Sequence, residues 1–259
     1  YRQNTDGSNS RVIAGQLTTY RQNEANTNFV VPDQIYLWES ALPVPSVSYG
    51  RVSTNSDNSN LIIDANQRPR INMLGYDSYG NVLSVAKIND VTVSYFYGYN
   101  HSLPIAEVKD ALNTTSAKEI FYESFEESNS ASVITNTSLS HAGKNYVNGA
   151  YTTTFVIPNS KSYKLEYWYL ANGKWNYNTK AYTGAGMILN DGSAVDDVRI
   201  YPVDAQMKSY TYDPILGMTS VIDEGGIMHS YDYDNFGRLK MIRNDQGVIE
   251  KQYIYKYKN

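Results

Sequence analysis

The chain has 259 residues, 41% hydrophobic and 19% charged, with 25 tyrosines, no cysteine and a net charge of -4. The negative balance argues against nucleic acid, which needs a basic face to neutralise its phosphates, and the lack of cysteine removes both a disulfide framework and a thiolate nucleophile. No apolar run reaches the roughly 18 residues of a membrane helix, so no membrane span is expected, and no basic flank with an apolar centre marks a signal peptide.

Tyr1 is not a natural start, so the chain reads as part of a longer parent chain whose targeting sequence lies elsewhere. Up to residue 70, β-branched and aromatic runs are bounded by Asn, Asp, Ser, Gly and Pro, and no helical period is sustained. Two to five strands are expected, among them Gln34-Ile-Tyr-Leu-Trp38 and Asn60-Leu-Ile-Ile-Asp64. Pro43-Val-Pro45 should be extended, because each proline fixes φ and restricts its predecessor. The polar stretch Ser53 to Asn60 reads as a solvated connection, with a binding finger as the other reading. Next comes Gly75-Tyr76-Asp77-Ser-Tyr-Gly80-Asn81-Val82, which runs on to Tyr95-Phe-Tyr97-Gly98-Tyr99-Asn100. The alternating tyrosines predict strands with one packed and one wet face, since the ring covers apolar neighbours while its hydroxyl stays hydrated.

Between 113 and 206 the character changes. Phe121-Tyr-Glu123-Ser-Phe125-Glu126-Glu127 opens this part, Ser140-His141-Ala142-Gly143 lies near its middle, and Val195-Asp196-Asp197-Val198 closes it. Tyr163 to Leu170 alternates strictly and predicts a central strand with Leu165, Tyr167 and Tyr169 on one face and Glu166 and Trp168 on the other. Asn172-Gly173 is a two-residue hairpin signal leading into Trp175-Asn176-Tyr177. Strands in this number make a β-sandwich of ordinary size.

The three motifs, in this order, are similar to those of jelly-roll carbohydrate-binding modules with Gly-Phe-Glu, His-Ser-Gly and Ile-Asp-Asp-Val elements. Here Ser124, Ala142 and Val195 replace the family's glycine, serine and isoleucine. The resemblance implies a structural Ca2+ held by Glu126 and Asp196, with Asp197 or Glu123 as substitutes, a hard-oxygen set that suits this cation. Sugar binding requires exposed rings with polar neighbours. Trp175, Tyr177, Trp168 and Tyr182 are the rings available, with Asn176 and Asn178 beside them. Trp168 also reads as a core residue, whereas Trp175, just after the turn, is the better candidate for exposure.

Catalytic patterns are missing from the sequence. His101, His141 and His229 lie in separate segments without metal-ligand spacing, and there is no Gly-x-Ser-x-Gly elbow or P-loop. Glu123, Glu126, Glu127, Asp196 and Asp197 would suit a glycosidase in number, but they sit inside the calcium-like motifs, so no enzyme is expected.

The last fifty residues repeat. Tyr210-Thr-Tyr212-Asp213-Pro-Ile-Leu-Gly217 is followed by Tyr231-Asp-Tyr233-Asp234-Asn-Phe-Gly237-Arg238-Leu239, and Tyr253-Ile-Tyr255 opens a third copy. Asp closes a turn on its own backbone and Gly supplies a positive φ before the return strand, so one repeat is about one β-hairpin. Asp223-Glu-Gly-Gly226 and Asp245-Gln-Gly247 mark the second turn of each unit. This pattern, with the looser copy at 75 to 100 in which Asn81 stands for Arg, resembles the YD repeat of RHS-type bacterial cell-surface proteins. The resemblance implies a β-sheet strip and an extracellular or cell-surface location.

The expected fold is therefore all-β: a jelly-roll β-sandwich (113–206) flanked by a strand region ending in a YD-like repeat (1–112) and by YD-repeat hairpins (207–259). The expected role is non-catalytic binding or adhesion to a glycan or cell-surface protein. The alternative is a structural scaffold without ligand.

Overall fold

The computed structural model describes residues 11–45, 52–54 and 61–256, and every described element is a strand, turn or loop. The polar stretch from 55 to 60 lies outside the described residues, as does Tyr1. Two compact units divide at Val91 and Thr92.

The first unit holds β1 (Arg11–Gln22), β2 (Val30–Pro45), β3 (Val52–Thr54), β4 (Leu61–Ile63), β5 (Arg68–Tyr76) and β6 (Val82–Lys87). Its sheet runs β1-β2-β5-β6, all antiparallel, and β3 and β4 form a separate hairpin. Pro43-Val-Pro45 is extended at the end of β2, as proline geometry requires. Tyr76 is buried and donates its hydroxyl to the Pro32 carbonyl at 2.7 Å, while the Arg21 guanidinium lies 5.9 Å over its ring.

The second unit begins with β7 (Thr92–Gly98) and β8 (Leu103–Lys109), followed by β9 (Phe121–Glu123), β10 (Val133–Thr135), β11 (Asn145–Asn148) and β12 (Tyr151–Thr152). Then come β13 (Tyr163–Ala171), β14 (Lys174–Tyr182), β15 (Ile188–Leu189) and β16 (Ala194–Pro202). The repeats close it as β17 (Gln206–Asp213), β18 (Gly217–Ile222), β19 (Met228–Tyr233), β20 (Leu239–Asn244) and β21 (Ile249–Gln252). Seven of these strands make an antiparallel sheet in the order β7-β8-β17-β18-β19-β20-β21. The expected boundary at 112 thus falls inside this unit: β8 pairs directly with β17, Lys109 opposite Gln206, and the segment between them is an insertion into the repeat sheet.

The insertion is a β-sandwich of one six-stranded sheet, with β10-β11-β16-β13-β14 in line and β9 on β16, covered by the β12-β15 pair. The alternation of β13 holds: Tyr163, Leu165 and Tyr167 enter a core with Phe125, Val147, Phe155, Val195, Val198 and Ile200. Val195 and Val198 share a face despite odd spacing because β16 bulges at Asp197, whose φ is 49°. The hairpin turn has positive φ at both Asn172 (54°) and Gly173 (74°), the geometry that an Asn-Gly pair selects.

Over β9, β13 and β16 the outer face of the six-stranded sheet is covered. Tyr122, Tyr201 and Ile120 pack against Ala106, Val108 and Met207 of the repeat sheet, and Trp168 and Ala142 pack against Ile222 and Met228. β16 is accordingly buried at all nine positions. The second unit is therefore layered, with the six-stranded sheet between the repeat sheet and the β12-β15 pair.

Candidate functional site

Four turns share one chemistry, while at the fifth Asp213 Oδ1 accepts from the Ile215 and Leu216 amides at 2.9 and 3.0 Å. Asp234 Oδ1 accepts from the Phe236 and Arg238 amides at 2.9 and 3.0 Å, and Gly237 sits at φ 71°. Asp77 does the same with Tyr79 and Asn81, at 2.9 and 2.8 Å, with Gly80 at φ 89°. Asp223 and Asn244 repeat the arrangement, each with a positive-φ glycine three residues on. The acceptor of the last turn is therefore Asn244 and not Asp245, because only position 244 stands three residues before Gly247. Arg238 Nε donates to Asp234 Oδ2 at 2.8 Å, and Asn81 Nδ2 makes the equivalent bond to Asp77 Oδ2 at 2.9 Å. That equivalence explains why Asn can stand for Arg in the first copy. These hydrogen bonds, led by the Arg238 side chain, hold the Asp234 carboxyl below its usual range.

The acids expected to hold calcium lie near one another but serve the protein. Asp196 Oδ2 accepts from the amides of His141 (3.0 Å) and Ala142 (3.3 Å), and its Oδ1 accepts from Asp197 N at 2.8 Å. Burial, reinforced by the neighbouring Asp197 charge, pushes the Asp196 carboxyl well up. Asp197 Oδ1 accepts from the Tyr122 hydroxyl at 2.8 Å, and Oδ2 lies 2.8 Å from His141 Nδ1. Glu126 Oε1 accepts from Lys144 N and Asn145 N, both at 2.8 Å, and a Cβ at Gly143 would come within 2.5 Å of it. Five of the six carboxylate oxygens thus face protein donors, and Glu126 Oε2 alone is sealed without a partner. Among the described residues no three His, Asp or Glu groups converge as a cation cage. A cation that needs six to eight oxygens does not fit a set already spent on N–H and O–H donors. Glu123 and Glu127 also cap backbone: Glu123 Oε1 accepts from Phe125 N at 2.7 Å, and Glu127 accepts from the Tyr99 and Asn100 amides of the β7-β8 turn.

The four candidate rings part company. Tyr182 is a core residue whose hydroxyl donates to the Phe155 carbonyl. Trp168 is buried, stacked on His141 at 4.6 Å between centroids and contacted by Arg199 at 4.9 Å. Neither offers a face to a sugar, because strand alternation sends one into the sandwich and the other under the repeat sheet. Tyr177 is exposed but leans on Trp168, and Gly226 of the β18-β19 turn approaches both rings, 3.4 Å from Tyr177 and 3.6 Å from Trp168 for a built Cβ. Burial pushes the Tyr177 hydroxyl up to about 12. Trp175 is half-buried, donates Nε1 to the Leu139 carbonyl at 2.6 Å and meets Tyr146 edge-on. Asn176 Nδ2 is spent on the Lys174 carbonyl at 2.8 Å, and Asn178 Nδ2 donates to the Tyr167 hydroxyl. Trp175 alone reaches an open cleft of about 850 Å3, between the 138–141 loop, Lys174 and the β20-β21 turn at 244–247.

Sequence reasoning missed the group that joins the two sheets. Arg199 is fully buried, and its Nη1 donates to the carbonyls of Met207 and Asp223, at 3.4 and 3.3 Å. Its Nη2 lies 3.1 Å from Glu166 Oε2 as an ion pair without hydrogen-bond alignment, and the same oxygen accepts from the Tyr201 hydroxyl at 2.7 Å. The signal was present as charges on one face of two adjacent strands, Lys164 and Glu166 on β13 and Arg199 on β16.

Fold and site together define an all-β protein in which a β-sandwich is docked through one face on a repeat sheet. No family model matches the chain, and no curated protein matches it either. Among solved structures, that of TcdB2-TccC3-TEV is similar over 93% of this chain at 13% identity, with a TM-score of 0.18. The chain spans 11% of the length of that structure's chain, and likeness at this level carries no assignment.

Proposed function

We propose that this chain is a non-catalytic structural segment of a larger cell-surface protein, in which the inserted sandwich braces the repeat sheet. One observation carries the reading: the sandwich face that bears Trp168 packs against the repeat strands, with Trp168 beneath Ile222 and Met228 and Arg199 reaching the Met207 and Asp223 carbonyls. Hydrogen exchange on the full chain tests it. Trp168→Ala should speed exchange of the β18 and β19 amides about tenfold or more, the counterpart of about 1.4 kcal/mol. Exchange that accelerates in β13 and β16 while β18 and β19 stay as protected as before would remove the bracing role.

A second reading, glycan binding, is favoured by the cleft, where Trp175 is the expected ring that meets open space. It predicts that the chain retains a related set of oligosaccharides on a glycan array and that Trp175→Ala does not.

A further inference from the structure

His141 is fixed on several sides and left open on one. Its Nδ1 lies 2.8 Å from Asp197 Oδ2, its face stacks on Trp168 and Trp175 meets it edge-on at 6.0 Å. The Asp197 carboxylate also accepts from the Tyr122 hydroxyl. With both oxygens acting as acceptors, the proton of the imidazole belongs on Nδ1 and the lone pair of the neutral ring on Nε2. The loop cannot easily turn, because the His141 and Ala142 amides are both held by Asp196.

The side chain is only 6% exposed, yet Nε2 has no protein partner among the described residues and is not one of the sealed polar atoms. His141 instead forms part of the wall of the 850 Å3 cleft. A ligand that fills the cleft and covers this acceptor without donating to it loses free energy. Nearby, Lys174, Ser138, Ser230 and Asp245 bring polar groups to the same space, and Trp175 and Met228 supply the apolar part of the lining.

We infer that His141 Nε2 is the hydroxyl-reading atom of this cleft, taking one hydroxyl of a pyranose that lays its apolar face against Trp175. This rests on the glycan reading above and adds a specificity that Trp175 cannot supply. A ring stacks on any pyranose, whereas a buried, directed acceptor rejects a ligand lacking the hydroxyl, because Nε2 is then left unpaired.

The test uses the full chain, an array of immobilised pyranose oligosaccharides, and the variants His141→Asn and His141→Gln. The Asn amide can take the place of Nδ1 and keep the bond to Asp197, but it puts nothing at Nε2. The Gln amide reaches the Nε2 position. A wild type that binds a subset of the array, roughly tenfold or more weaker binding in His141→Asn, and partial recovery in His141→Gln are expected. One monodeoxy analogue of the bound sugar should lose as much with the wild type and lose nothing further in His141→Asn, as a coupled pair requires. Equal binding by wild type and His141→Asn would overturn the role of His141 and leave the Trp175 reading standing. No binding by the wild type to any member of the array would overturn both. Should His141→Asn fail to fold, the monodeoxy series on the wild type decides alone, and equal affinity for every member overturns the inference.

Discussion

At the scale of single residues, the second unit keeps a few charges where water does not reach. Arg199 and Glu166 are both buried, and the pair stands between the two sheets. Such a pair adds little net stability, but removing one partner strands the other. Arg199→Met should destabilise the chain by about 3 kcal/mol in urea unfolding, and the double variant Arg199→Met with Glu166→Leu should recover most of the loss. A single variant as stable as wild type would show that Glu166 finds another partner. Glu126 behaves differently. Burial pushes its carboxyl up to about 7, against the pull of the Lys144 and Asn145 amides. An acid whose folded pKa lies above its unfolded value holds its proton more tightly when folded, so stability falls as pH rises from the unfolded value near 4.5 to about 7. Glu126→Gln should flatten this pH dependence of stability in thermal unfolding, an effect on the order of 3 kcal/mol at the upper end of the range. Parallel curves for the two proteins would place the titration elsewhere.

At the scale of elements, the repeats are turns first and strands second. At 77, 223, 234 and 244 the Asp or Asn collects the amides two and four residues on, and the glycine between them stands where a Cβ is strained; Asp213 instead takes the amides two and three residues on. Gly237→Val should therefore cost more than about 1 kcal/mol in thermal unfolding, since a β-branched residue resists φ near 71°. An unchanged midpoint would remove that turn as a determinant. These turns were legible in the sequence because their chemistry is local: Asp, Gly and the return residue occur at fixed offsets. The hairpin at Asn172-Gly173 was legible for the same reason, and so was the alternation of β13. What the alternation could not tell was which face met water. Glu166 and Trp168 share a face in any strand reading, and a period of two is the same whether that face meets solvent or a second sheet. The acids at 196 and 197 were ambiguous in a related way. Paired carboxylates suggest a cation, while the donors that occupy them, His141, Ala142 and Tyr122, come from segments more than fifty residues distant in sequence.

At the scale of the molecule, the sequence placed a sandwich between two sets of repeats, and the structure makes it a side branch of a single sheet. β8 and β17 are neighbours although an entire sandwich intervenes, and their register runs from Lys109 opposite Gln206 to Ala106 opposite Ser209. An unfolded connection of roughly a hundred residues would burden that pairing with about 3 kcal/mol of closure entropy relative to a link of a few residues. Once the sandwich has formed, its two ends lie side by side and most of that burden is gone. That difference favours closing the β8-β17 seam over an insert that has already folded. The seam then acts as a checkpoint, and a chain whose insert misfolds would keep two half-sheets with open edges exposed to the next chain.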